Sequence, residues 1–162
     1  MFRVLGILFV FLLGFVAGAW LFRDVQPRPI LSFKPSRHLA SYQEVLGYFG
    51  SAAMHRFPGA VPGVVLESDK SIAIKYPIKR PHWVIVPKRD IKDMGTLARG
   101  DEPYVIDTFA MIGKLARDAK LKHYQVITNG PNEQTVRYLH FHLVAVYPKE
   151  DQIAADTLVA RP

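Results

Sequence analysis

Two histidines separated by a single residue, His140 and His142, stand within the run from Gln134 to Tyr147, QTVRYLHFHLVAVY. Reading Thr135 to Tyr147 as a strand puts Tyr138, His140, His142 and Val144 on one face, and Leu139, Phe141, Leu143 and Ala145 on the other. The second set is core material. Imidazoles at i and i+2 of a strand stand about 7 Å apart, so both can address one bound group. Three uses remain open on residue types alone: a polar strand face, phosphate chemistry, or a metal site with His82 as the obvious further ligand. The chain has no cysteine, which excludes a disulfide framework, a thiolate zinc site and a cysteine nucleophile.

The elements that must position these rings are legible around them. Val64 to Glu67 and Ile72 to Tyr76 favour strands about the polar turn Ser68-Asp69-Lys70, and His82 to Val86 reads as a third strand ended by Pro87. A helix is expected from Asp101 as cap, with Pro103 in its first turn and Val105, Phe109, Ile112 and Ala116 at helical spacing up to Lys120. An earlier helix is expected from Ser41 to near Arg56, opened by a Ser41/Glu44 capping box and carrying an apolar stripe of Val45, Leu46, Phe49 and Ala53. Tyr124 to Thr128 and Thr135 to Tyr147 are the last two strands, joined by the turn-forming run Asn129-Gly130-Pro131-Asn132-Glu133. Strands with one inserted helix, and no βα alternation, predict an α+β fold.

The 162 residues suffice for one compact domain and an appendage. Val4 to Phe22 carries no charge, and at about 1.5 Å per residue such a helix spans a bilayer core. Arg3 precedes it; Arg23, Arg28, Lys34 and Arg37 follow, with only Asp24 opposing them, so the charge balance leans toward a cytoplasmic C-terminal domain. A cleaved signal ending at Ala17-Gly18-Ala19, and hence export, is the alternative; continuation of the apolar run through Trp20, Leu21 and Phe22 favours the anchor. The expected organisation is a transmembrane anchor over 1–23, a linker over 24–40 carrying three prolines, and one domain over 41–162. A formal charge of +7 and a pI near 9.7 favour acidic partners without choosing among phosphates, lipid headgroups and nucleic acid.

The run Gln134-Thr135-Val136-Arg137-Tyr138-Leu139-His140-Phe141-His142-Leu143 is similar to the signature of the histidine-triad (HIT) superfamily, in which Gln-Ser/Thr-Val precedes three histidines alternating with apolar residues. His82-Trp83-Val84-Ile85-Val86-Pro87-Lys88 resembles that family's upstream strand, and the order agrees. The resemblance covers about Val64 to Tyr147. It implies a HIT-like antiparallel sheet with a packed helix, here preceded by one transmembrane helix. It also implies a nucleotide or nucleotide conjugate as substrate, with no cofactor, no metal in the covalent step and no specific nucleic acid, and it leaves a homodimer open. On this resemblance His140 is the nucleophile that attacks the α-phosphorus, giving a nucleotidyl-histidine. An imidazole attacks through an unprotonated nitrogen, so Nδ1 should donate to a backbone carbonyl, that of residue 138, leaving Nε2 free. His142 would contact the non-bridging phosphate oxygens. Gln134 and Thr135 match the polar pair that hydrogen-bonds phosphate or leaving group, His82 completes the cluster, and Asn129 lies near the family's polar loop position.

Two departures bear on this. Tyr138 stands where the family has its first histidine; its carbonyl can still serve His140, and its hydroxyl is a candidate donor to His82 or to a phosphate. Near Tyr76, where many members place an acidic or amide residue for ribose, this chain reads Ile74-Lys75-Tyr76-Pro77. These two tyrosines support a rival reading, a catalytically silent, membrane-tethered binder of nucleotides or other phosphorylated ligands. A third reading is a metal site made by His82, His140 and His142. Lys75, Lys79, Arg80, Lys88 and Arg89 make a basic edge that suits a highly charged ligand or is simply solvated.

Overall fold

The computed structural model describes residues 2–26 and 42–147. The proposed Ser41 cap, most of the linker, and everything after Tyr147 lie outside them.

The first helix, α1, runs from Phe2 to Phe22. It is long and apolar enough to cross a membrane, and its span Val4–Phe22 is unburied by the rest of the protein. Helix α2 follows over Tyr42–Arg56, then strands β1 (Val64–Glu67), β2 (Ser71–Lys75) and β3 (His82–Pro87), helix α3 (Glu102–Asp118), and strands β4 (Tyr124–Ile127) and β5 (Phe141–Ala145). The five strands form one antiparallel sheet in the order β1-β2-β3-β5-β4. The expected α+β architecture is present: an antiparallel sheet, a packed helix, and an apolar N-terminal helix.

The tight β1–β2 connection is set by Ser68, whose Oγ accepts from the Ser71 amide at 2.9 Å while its own amide donates to the Ser71 carbonyl. Gly63 opens β1 with φ +78°, a left-handed conformation that a side chain would strain, and its carbonyl accepts from Lys75 N.

While β4 is exposed along its length, the sheet is covered on both faces over its central strands. On one, α3 lays Met111, Ile112, Leu115 and Ala116 against Ala73, Ile85, Leu139, Phe141 and Leu143. On the other, Ile72, Val86 and Tyr138 gather Met54 of α2 with Val84 and Val136. The α3 stripe differs from the expected one at Phe109, which is 48% exposed although its ring lies 5.1 Å from that of Phe141; Thr108 and Met111 are buried instead. Asp101 sits at the N-cap, but its carboxylate makes no cap bond. It accepts from Ala98 N and pairs with Arg89. In α2 the expected stripe is also corrected: Leu46 and Phe49 are exposed, whereas Glu44, Ser51 and Ala52 are buried.

The last strand is shorter than the alternation suggested. Residues 135–140 form no ladder, because Leu139 N donates to Ile91 O at 2.6 Å and Tyr138 N to Val136 O at 2.8 Å, folding the segment into turns. The facing survives this. Leu139 still points into the α3 core and Tyr138 into the opposite cluster.

Candidate active site

The pairing of β3 with β5 builds the site. His82 is opposite Val144 and Val84 opposite His142, so His82 and His142 are diagonal neighbours on one face, within reach of each other. His82 Nε2 and His142 Nδ1 are 2.9 Å apart. His140 comes just before β5, its backbone carbonyl accepting from Thr128 Oγ1 at 2.9 Å. Its ring stands edge-on to His142, with centroids 5.1 Å apart.

The tautomers follow from partners. His140 Nδ1 lies 2.6 Å from Tyr138 O. A carbonyl only accepts, so Nδ1 carries the proton and Nε2 keeps its lone pair. For the second pair, His82 Nδ1 is buried without a hydrogen-bond partner. A buried N–H without an acceptor is costlier than a bare lone pair. The proton therefore sits on His82 Nε2, which donates to His142 Nδ1, and His142 carries its own proton on Nε2. The result is one nucleophilic nitrogen on His140 beside one neutral donor on His142.

Burial, then the imidazoles of His140 and His82, lower the His142 pKa from 6.5 to about 4. Burial and the nearby Arg80 lower that of His82 as well. An unfolded histidine protonates as the pH falls below 6.5, whereas folded His142 resists until about 4. The unfolded state thus binds more protons in that window, and stability present above it is lost as the pH drops through it. The melting temperature is expected to fall from pH 6.5 toward 4 and to fall less in His142→Gln, as thermal denaturation at stepped pH will measure.

A cleft of about 440 Å³ opens at these rings, lined by His140, His142, Tyr138, Thr135 and Asn129, with Tyr76, Val84, Val86 and Val136 from the sheet side and Gly50 and Met54 from α2. Five of the seven residues singled out in the sequence thus line one cavity. The other two do not. His82 lies behind His142 and orients it. Gln134 is fully buried, with neither side-chain amide atom hydrogen-bonded. Tyr138 is also placed differently from expectation: its hydroxyl donates to Pro87 O at 2.9 Å, not to His82 or into the cleft, so only its ring forms wall. None of Lys75, Lys79, Arg80, Lys88 and Arg89 lines the cleft; Lys88 pairs with Glu67 and Arg89 with Asp101.

Sequence reasoning missed the α2 contribution, whose only signal was Gly50 and Met54 on one flank of a helix with no assigned role. Tyr76 was noted as a departure, not as a site residue. In the structure its ring lies 4.6 Å from that of His82 and forms part of the cleft wall.

Because the carbonyl of residue 138, not its side chain, serves His140, Tyr138→Phe is expected to leave kcat within about threefold. It should cost roughly 1–2 kcal/mol of stability through the stranded Pro87 carbonyl. Steady-state kinetics and denaturant unfolding of the same preparation will separate the two effects.

Residues 58–155 match the family model described as scavenger mRNA decapping enzyme C-term binding. No curated protein sequence matches the chain. A HIT family hydrolase from Clostridium thermocellum shares the fold with a TM-score of 0.53 at 28% identity, covering 59% of this chain and 90% of its own. A HIT family hydrolase from Legionella pneumophila gives 0.53 at 22% identity, over 59% and 91%. A Hit-like protein described as involved in cell-cycle regulation, from Bartonella henselae, gives 0.50 at 25% identity, over 60% and 79%. With more than half of its length matched, the chain belongs to the scavenger decapping enzyme C-terminal family and carries a HIT-like domain.

Proposed function

We propose that the chain is a nucleotide-binding hydrolase or nucleotidyl transferase that acts on a phosphoanhydride or phosphoramidate through a nucleotidyl-histidine at His140. The observation that carries this reading is the 2.6 Å bond from His140 Nδ1 to Tyr138 O, which leaves Nε2 unprotonated beside the cleft. The Nε2 lone pair attacks the α-phosphorus, an N–P bond forms, and the bond to the leaving group breaks. The leaving group departs with the electron pair and takes a proton from water. Water or another acceptor then attacks phosphorus and gives its proton to the hydroxide left by the first step, the N–P bond breaks, and Nε2 regains its lone pair. His142 Nε2–H donates to the non-bridging oxygens as charge gathers there, and being neutral it does so across the physiological range. Thr135 and Asn129 add polar contacts from the cleft wall. Likeness to the HIT family hydrolase from Clostridium thermocellum supports turnover.

A second reading has a specific observation behind it. Among the described residues the cleft lining contains no carboxylate, lysine or arginine, so ribose hydroxyls find no acid among them, which suits a binder without turnover. The metal reading has less support: the His82 ring spends Nε2 on His142 Nδ1 instead of converging with the others on one point. Intact-mass measurement of the full chain with nucleoside phosphoramidates and dinucleoside polyphosphates decides between enzyme and binder. A nucleotide-sized gain, or product release, supports the enzyme. Affinity with neither supports the binder.

We further infer that α1 tethers the domain to a membrane, with the domain on the cytoplasmic side as the basic residues after Phe22 indicate.

A further inference from the structure

Helix α2 carries apolar side chains on the face turned away from the domain. On a helical wheel Leu46, Phe49, Ala53 and the following Phe57 fall within about 80°, opposite Glu44, Ser51 and His55. Glu44 and Ser51 are buried, and Glu44 pairs with Arg137. Leu46, Phe49 and Phe57 are 44%, 58% and 52% exposed, an arrangement that water alone does not favour.

What covers this face is indicated by α1. Its last turn meets α2 at two separated places. Phe22 stacks on Tyr48 at 4.4 Å and meets Phe49 edge-on at 5.8 Å. Trp20 meets Phe57 at 6.4 Å, and its carbonyl accepts two hydrogen bonds from Arg56, whose guanidinium also lies over the indole and pairs with Asp24. Tyr48 and Phe57 are about 13 Å apart along a helix, yet both reach the same turn, while residues 4–17 of α1 stand exposed. Helix α2 therefore crosses the end of α1. If α1 stands upright in a bilayer, a helix lying across its end lies in the membrane plane, at the level where Trp20 and Arg23 mark the boundary.

We propose that the outward face of α2, with Trp20, is a lipid-docking surface seated in the boundary between headgroups and acyl chains; this rests on the membrane reading of α1. The flank of α2 next to this face supplies Gly50 and Met54 to the cleft, so the bilayer supports one wall of the site.

The chain has no cysteine, so single nitroxide labels are introduced without removing native thiols. Full-length Leu46→Cys, Phe49→Cys and Phe57→Cys are labelled in phosphatidylcholine/phosphatidylglycerol vesicles, with Val10→Cys on α1 and Lys114→Cys on the exposed face of α3 as references. Relaxation by oxygen is expected to exceed relaxation by a water-soluble nickel complex at 46, 49, 57 and 10, and the reverse is expected at 114. If 10 reports lipid while 46, 49 and 57 track 114, the docking surface is overturned and the anchor stands. A water-exposed 10 removes the anchor and this inference together. Spin–spin broadening at 49 that vanishes on dilution with unlabelled chain shows a second copy covering the face, which also overturns it.

Discussion

His140→Ala is expected to lower kcat by roughly 10⁴-fold or more, as loss of a covalent nucleophile does when the remaining site can only bind and orient. The expectation rests on geometry particular to this ring. Its Nδ1 is committed to Tyr138 O and its backbone to Thr128 Oγ1, so one nitrogen, in one orientation, is available to phosphorus. Of the two imidazoles beside it, His142 keeps its proton on Nε2 and His82 is spent on His142; His55, whose Nδ1 also meets a backbone carbonyl, that of Ser51, does not line the cleft. The ring of His140 is only partly buried, so the alanine chain should fold, and near-ultraviolet circular dichroism will check that. The nucleotide-sized mass gain should disappear with turnover, while substrate affinity changes by less than about tenfold. Undiminished turnover in the variant would place the nucleophile elsewhere and end the nucleotidyl-histidine reading.

Leu143→Ala is expected to destabilise the fold by about 3 kcal/mol, and to lower the midpoint of thermal unfolding by roughly 10 °C. Leu143 is fully buried between the sheet and α3, in the strand that pairs on both sides, with Trp83 opposite it on β3 and Val126 on β4. A cavity there cannot be filled from solvent, and its neighbours are backbone-fixed strand residues with little room to relax. Thermal melts of full-length protein in detergent micelles will measure the change. A loss below about 1 kcal/mol would mean that the core collapses around the smaller side chain. Since Leu143 points away from the cleft that its neighbour His142 lines, kcat below the melting transition should change little.

Strand residues near the chemistry were readable because alternation is local. Tyr138, His140 and His142 share a face by a rule that needs only two residues of context, whereas placing His82 on that face takes the β3–β5 register. The Tyr138 facing was right even though no strand runs there. The ladder was overestimated because nothing local reveals that Leu139 N would be claimed by Ile91 O, a residue far away in sequence. The fates of the Tyr138 hydroxyl and of Gln134 were hidden for the same reason: a hydrogen-bond partner such as Pro87 O is a property of the packed chain. Helix α2 was legible as a helix, but not its facing. Its stripe of Leu46 and Phe49 reads as core by hydrophobicity, and only the fold reveals that a carboxylate, Glu44, with Ser51 and small Ala52, faces inward.

His82 and His142 are separated by 60 positions in sequence, and everything between them, α3 and β4 included, is synthesised before the second ring exists. Closing a loop of that length costs on the order of 3–4 kcal/mol of chain entropy before any ladder bond compensates it. Until β5 leaves the ribosome, β3 presents the unpaired edge of a strongly apolar strand, His-Trp-Val-Ile-Val-Pro, to whatever chains are near. A nascent chain that stalls short of Phe141 thus lacks His142 and leaves an adhesive edge bare, and β5 both completes the site and protects that edge.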